Sequence, residues 1–259
     1  MTQEMTQNPH QPYLREAEES DTAALLVHGI FGSPRQFEDI AEALLAIGCS
    51  VMAVLLPGHG GSAKGFCEVR SGQWLAAVSE AAAYLRRRYR RVFLIGHSLG
   101  SLLCVLEAAE HEASGLVLMS APMRLKGGAG PLRISARVLL GNPARDDDFI
   151  KTYRLANSVG AGSPAQYIRW IPRMAELLSL KRQATKALPR VKQRVLVVQS
   201  RRDETVSWRS VRILKRGLAQ AASVDVRMLE RSGHAYFPPE EAAAVRQAIC
   251  GFIKGSRCE

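Results

Sequence analysis

The sequence predicts an α/β fold, a mostly parallel sheet with helices on both faces and an inserted helical cap. Three observations lead there. Short, continuously apolar runs alternate with longer helix-like stretches through residue 121, as expected of strands buried on both faces and joined by crossover helices. Roughly 70 residues then carry no strand pattern, too many for an ordinary crossover. The alternation resumes at residue 194 and runs to the end.

The elements follow in order. Residues 23–28 form an apolar run ending at Gly29, the first strand. Ser33-Pro34 opens a helix through Ala46, since proline is tolerated in a first turn whose N–H has no partner, and Gly48 lies just past its end. Residues 50–55 repeat the strand pattern, which Pro57-Gly58-His59-Gly60-Gly61 cannot continue. A helix over 73–88, a strand over 92–95, a helix over 99–110 and a strand over 115–120 come next. Residues 122–192 hold helical segments with Tyr153, Tyr167, Trp170 and Met174, and an Asp146-Asp147-Asp148 run expected to be solvated. A strand over 194–199, a helix over 207–221, a strand over 224–229 and a helix over 239–254 complete the chain. The expected organisation is a flexible tail over 1–20, a core over 21–121 and 193–259, and a cap over 122–192.

With 259 residues, 47% of them hydrophobic, the chain can bury one large core. Its first eight residues are polar and lack the apolar centre of a secretory signal. The stretch 92–106 is interrupted by Gly96, His97, Ser98 and Gly100 and is shorter than the roughly 20 residues a bilayer requires, so no stable membrane insertion is expected. Five cysteines, Cys49, Cys67, Cys104, Cys250 and Cys258, show no CxxC pairing, which suggests reduced thiols and a cytoplasmic location. The formal charge of +11 is most concentrated in Arg86-Arg87-Arg88-Tyr89-Arg90-Arg91. That run closes a helix, where cations offset the last carbonyls. No nucleic-acid motif accompanies it, and no nucleic-acid partner is expected.

The chemistry centres on Gly96-His97-Ser98-Leu99-Gly100, set between a strand and a helix. Glycines there let the backbone turn sharply and lift the Ser98 hydroxyl above the strand ends, where open α/β sheets bind ligands. A hydroxyl needs a base, a group to orient the base, and donors for the oxyanion that forms. Asp203 follows the strand over 194–199 and is the favoured acid, with Glu204 its nearest competitor. Asp225 lies inside a strand and is a poor candidate. His234 follows the strand over 224–229 in Glu230-Arg231-Ser232-Gly233-His234 and is placed to act as the base. His28 is expected to bond loop backbone, and His97 to point away from the serine. The histidines show no metal-ligand spacing, so neither a metal nor another cofactor is expected. One oxyanion donor is the N–H of Leu99 at the helix start, and the other comes from His28-Gly29-Ile30-Phe31-Gly32. Ile30 is preferred as that donor, with Phe31 in reserve and expected to touch substrate.

These words, with Leu56-Pro57-Gly58-His59-Gly60, Ser120-Ala121-Pro122-Met123 and Gln199-Ser200-Arg201-Arg202-Asp203-Glu204, resemble α/β-hydrolases. More narrowly, they are similar to bacterial carboxylesterases and monoacylglycerol lipases. The resemblance spans nearly the whole core and implies Ser98 as nucleophile, Asp203 as acid, His234 as base, and Ile30 with Leu99 as oxyanion hole. It implies hydrolysis of short- to medium-chain acyl esters through an acyl-Ser98 intermediate, with a small-molecule ester as partner and the cap shaping the acyl pocket. A thioesterase or acyltransferase would use the same residues, and a binding module that keeps the fold is the non-enzyme alternative. Two positions depart from the pattern: Ser101 stands where relatives often carry another glycine, and Arg202 where a smaller or histidine-like residue is common.

Overall fold

A computed structural model describes residues 10–127, 133–134, 136–138 and 141–255. Seven strands make one sheet in the order β1-β3-β2-β4-β5-β6-β7. They are β1 (Tyr13–Arg15), β2 (Thr22–Val27), β3 (Ser50–Val54), β4 (Arg91–His97), β5 (Gly115–Met119), β6 (Val195–Ser200) and β7 (Val224–Leu229). All neighbours pair in parallel except β1, which runs antiparallel to β3.

Alternation along the strands divides the core between two faces. Leu25, Leu94, Leu116 and Val197 join one cluster with α3 (Ser71–Arg88) and α4 (Leu99–Glu110). Leu26, Ile95, Val117 and Val198 join the other with α1 (Glu38–Leu45) and the C-terminal helix Pro239–Gly255. Each fully buried Leu or Ile contributes about 1.5–3 kcal/mol. β2, β4, β5 and β6 are buried along their whole length, which is why their sequences read as continuous apolar runs. β7, at the sheet edge, instead alternates and leaves Asp225 and Arg227 exposed.

Several elements differ from the sequence reading. Part of the expected tail is ordered: Tyr13, Leu14 and Arg15 pair with Ala53, Met52 and Val51, and Arg15 reaches Glu38 at 2.7 Å. Residues 1–9 of that tail, and Cys258, lie outside the described residues. A short helix α2 (Ala63–Glu68) follows the glycine-rich loop, capped by Ser62, whose hydroxyl accepts from the Gly65 N–H. The helix expected over 207–221 contracts to Ser210–Gly217, because Ser207 N–H bonds Arg124 O and Ser210 Oγ takes the Arg124 N–H. The basic run closes α3 as expected, and Arg86, Arg88 and Arg90 pair with Glu107, Glu16 and Asp21.

Between β5 and β6 come α5 (Asp148–Ala156), α6 (Pro164–Arg169) and α7 (Ile171–Ala187). Leu180, Ala184 and Ala187 of α7 lie in the same core as Leu102 and Leu103 of α4, so this helix packs into the helix layer. The Asp146 to Asp148 run is not simply solvated. Asp146 has only 4% of its side chain exposed and binds Arg154 at 2.7 Å, and Asp147 caps α5 by accepting the Ile150 N–H.

Candidate active site

The site begins where β4 passes into α4. Ser98 has φ 52° and ψ −116°, a left-handed conformation that costs a non-glycine residue about 1–3 kcal/mol. Close approach explains both flanking glycines. A Cβ on Gly100 would lie 1.9 Å from Val27 O, and one on Gly96 would lie 2.4 Å from Gly100 C. Ser98 N–H bonds Met119 O at 2.9 Å, and the Ser101 hydroxyl donates toward Gly96 O at 2.7 Å and Met119 O at 3.0 Å. The Ser101 departure therefore ties the turn to β5.

The three residues expected to act together are brought together. Ser98 Oγ lies 3.0 Å from His234 Nε2, and His234 Nδ1 lies 2.9 Å from Asp203 Oδ2. Asp203 is fully buried. Its Oδ1 accepts the N–H groups of Thr205 at 2.9 Å and Val206 at 2.7 Å, while Gln199 Nε2 donates to Oδ2 at 3.3 Å. Burial would raise its pKa, but the His234 charge and the hydrogen bonds from His234, Val206 and Thr205 prevail and hold the carboxyl below its ordinary range. An ionised Asp203 can only accept, so Nδ1 carries the proton and Nε2 offers its lone pair to the Ser98 hydroxyl. At His234, burial pushes the imidazole down, but Asp203, by charge and hydrogen bond, and Glu204 outweigh it and raise the pKa.

The remaining histidines have structural partners. His28 Nδ1 donates to Gly29 O at 2.8 Å and its Nε2 accepts the Leu56 N–H at 3.0 Å, as expected of a loop-bonding residue. Burial depresses His28 well below the ordinary histidine value and takes His59 to about 4. His97 lies beside the base. Its Nε2 donates to the His234 carbonyl at 2.8 Å and the two rings lie 4.9 Å apart. Burial, then the His234 charge, lowers its pKa to about 4, so it holds the base loop as a neutral donor.

Gly29 packs against the serine: a Cβ there would stand 3.1 Å from Ser98 Cβ. Gly32 N–H bonds Gly29 O at 3.0 Å and Phe31 takes φ 62°, so Ile30 and Phe31 occupy the corners of a tight turn. Leu99, as the first residue of α4, has an N–H without an intrahelical acceptor. Phe31, Phe66 of α2 and Trp170 form an aromatic cluster with ring centroids 4.8 to 5.3 Å apart. Ser158 N–H bonds Phe31 O at 2.8 Å, and the Ser158 hydroxyl also bonds Gly32 O at close range. Arg202 is exposed.

Sequence reasoning missed Gln199, Ser158 and Tyr153 and the bond from His97 to the base loop, with partners 4 to 137 positions away in the chain. Only Gln199, four residues before the acid and on the same strand end, left a local signal. Among the described residues, no group of His, Cys, Asp and Glu could hold a metal ion, and no helix is long and apolar enough to cross a membrane. The buried hydroxyl, base and carboxylate can together pass a proton from Ser98 to His234 and stabilise the imidazolium that results.

The comparisons with known proteins concern the family and the fold. A family model described as the alpha/beta hydrolase family matches residues 24–248. Over 106 residues the chain is 32% identical to the thermostable monoacylglycerol lipase of Bacillus sp. (strain H-257), a match covering 40% of this chain and 42% of that lipase. Among solved structures, one from work on LipS and LipT, two metagenome-derived lipolytic enzymes, superposes with a TM-score of 0.75 at 21% identity, covering 95% of this chain and 98% of that one. The monoacylglycerol lipase of Paleococcus ferrophilus gives a TM-score of 0.72 at 19% identity with the same coverage. At these identities the structural likeness concerns the fold.

Proposed function

The chain belongs to the alpha/beta hydrolase family, and from that premise we propose that it is a serine carboxylic ester hydrolase acting on short- to medium-chain acyl esters, monoacylglycerols among them. The observation that carries this reading is the unbroken series Ser98 Oγ, His234 and Asp203, with hydrogen bonds of 3.0 and 2.9 Å. Support for glycerol esters comes from the partial match to a monoacylglycerol lipase.

In this mechanism His234 Nε2 takes the Ser98 proton as Oγ bonds to the ester carbonyl carbon. The carbonyl oxygen becomes an oxyanion, held by the N–H groups of Ile30 and Leu99. As the tetrahedral intermediate collapses, the carbon–oxygen bond to the alcohol breaks and His234 returns its proton to the leaving oxygen. Water then attacks the acyl-serine, giving a proton to His234, and the acid leaves as Ser98 regains its hydrogen. Phe31 and the aromatic cluster would border the substrate, and residues 122–192 would act as the cap over it.

Ser98→Ala is expected to abolish turnover of p-nitrophenyl acyl esters and labelling by a fluorophosphonate probe, with circular dichroism unchanged. Full turnover by a folded Ser98→Ala protein would overturn the reading. A series of p-nitrophenyl and monoacylglycerol esters of increasing chain length tests the substrate class, and a preference for long chains would exclude the short- to medium-chain assignment.

A further inference from the structure

The loop carrying His234 is gripped by groups the relay itself does not use. Glu204, next to the acid, accepts the His234 N–H with its two carboxylate oxygens at 3.0 and 3.3 Å. The phenol of Tyr153 on α5 donates to that same carboxylate at close range, and its oxygen accepts the Ala235 N–H at 3.0 Å. Phe149, one turn earlier on α5, lies over Gly233, where a Cβ would meet its Cε2 at 2.7 Å, and packs against Tyr236 at 5.7 Å. The His234 carbonyl is held by His97 from the other side at 2.8 Å. The main chain of His234 is thus bonded at both its N–H and its carbonyl, and its neighbours Gly233, Ala235 and Tyr236 meet α5.

We propose that Tyr153 and Glu204 are positioning residues for His234, holding its backbone so that the imidazole stays within reach of Ser98 and linking the helix inserted between β5 and β6 to the base. This rests on the reading of His234 as the base. The paired carboxylates divide the work: Asp203 takes the ring and Glu204 takes the main chain. Glu204 can serve both Tyr153 and His234 because a carboxylate offers several lone pairs. The Tyr153 hydrogen goes to Glu204, since a carboxylate only accepts, which leaves the phenol oxygen free for Ala235. Burial, followed by the Glu204 charge, raises the phenol pKa, so the donor persists through the neutral range. Among the described residues, four titratable groups face His234: Asp203 on Nδ1, Glu204 at the backbone, neutral His97 beside the ring, and protonated Tyr153 next to Glu204.

The test combines Tyr153→Phe, which keeps the ring packed against Phe149 and deletes the hydroxyl, with Glu204→Gln, which keeps an acceptor and deletes the charge. Lys151→Ala, on the exposed side of α5, is the control. Turnover of p-nitrophenyl butyrate would be measured from about pH 5 to 9, per active site titrated to endpoint with a fluorophosphonate. Tyr153→Phe is expected to lower kcat roughly tenfold or more with KM little changed, since a small misplacement of a reacting group carries a large penalty. Glu204→Gln is expected to move the acid limb of kcat/KM to lower pH, because one anion facing the imidazolium is gone. A purely structural role would reduce the titratable fraction and melting temperature of both variants while leaving kcat per titrated site and the acid limb where they are, and that result would overturn the proposal. If the wild-type protein shows no acid limb, or turns over without Ser98, the base reading fails and the positioning role falls with it. Wild-type turnover that needs Ser98 and has an acid limb, matched by both variants, removes the positioning role alone.

Discussion

At Ser98 the backbone is strained at φ 52° because the hydroxyl has to stand clear of the strand while its helix begins at the next residue. Two residues then decide the proton chemistry. Asp203 is held ionised in its buried seat by the His234 charge and by hydrogen bonds that favour the charged form, and replacing it with Asn leaves the imidazole in the wrong tautomer. Asp203→Asn is therefore expected to lower kcat by on the order of 10⁴-fold, measured on p-nitrophenyl esters. The need for a neutral His234 fixes the sign of the pH dependence, and the direction of its shift places the midpoint. Only the neutral ring accepts the serine proton, and the ring is protonated more easily than the ordinary value of 6.5. Activity should fall as pH drops, with the midpoint of kcat/KM above 6.5 in the free enzyme. A midpoint below that value would contradict the paired-carboxylate environment.

At the scale of elements, the junction of β4 and α4 depends on backbone packed against backbone. A methyl group on Gly100 would sit 1.9 Å from a carbonyl oxygen of β2, and no side-chain rotation relieves that clash. Gly100→Ala is expected to destabilise the protein by about 3 kcal/mol or more, read as a lower midpoint in urea unfolding. The region between β5 and β6 reaches the site through a few side chains, among them Ser158 on the turn at Phe31 and Gly32, Trp170 on Phe31, Phe149 on Gly233 and Tyr236, and Tyr153 on Glu204 and Ala235. Helix α7 meanwhile contributes Leu180 and Ala184 to the main core, so one end of this region is anchored in the helix layer.

Across the whole molecule, buried histidines govern acid stability. His28, His59 and His97 all have folded pKa values below the ordinary 6.5, with His59 and His97 at about 4. The unfolded chain therefore binds protons that the folded chain refuses as pH falls from about 6.5 toward 4, and stability declines across that window. His234 acts oppositely: its raised folded pKa contributes stability below the unfolded value that is lost as pH rises through the folded one. Asp203, with a lowered pKa, contributes stability above its unfolded value of 3.8 that is lost as pH falls through the folded one. Four lowered histidines, His10 included, against one raised histidine predict a lower urea midpoint at pH 5 than at pH 7. Equal midpoints would show that these histidines are not held neutral.

The sequence alone determined the strand and helix alternation and the positions of Ser98, Asp203 and His234, because each follows a strand recognisable locally, an apolar run before Ser98 and Asp203 and an alternating segment before His234. Leu99–Glu110 and Val224–Leu229 matched to the residue. Tyr13–Arg15 escaped notice because three residues carry no period, and only pairing with β3 makes them a strand. Asp146 read as solvated because its cation, Arg154, lies a helix away from it. Sequence reading weighed Glu204 against Asp203 as a rival for one role. Tertiary structure gave the two carboxylates different partners, since a carboxylate's role depends on which donors the fold brings to it, and those donors come from β7's loop, the end of β6 and a helix inserted between β5 and β6.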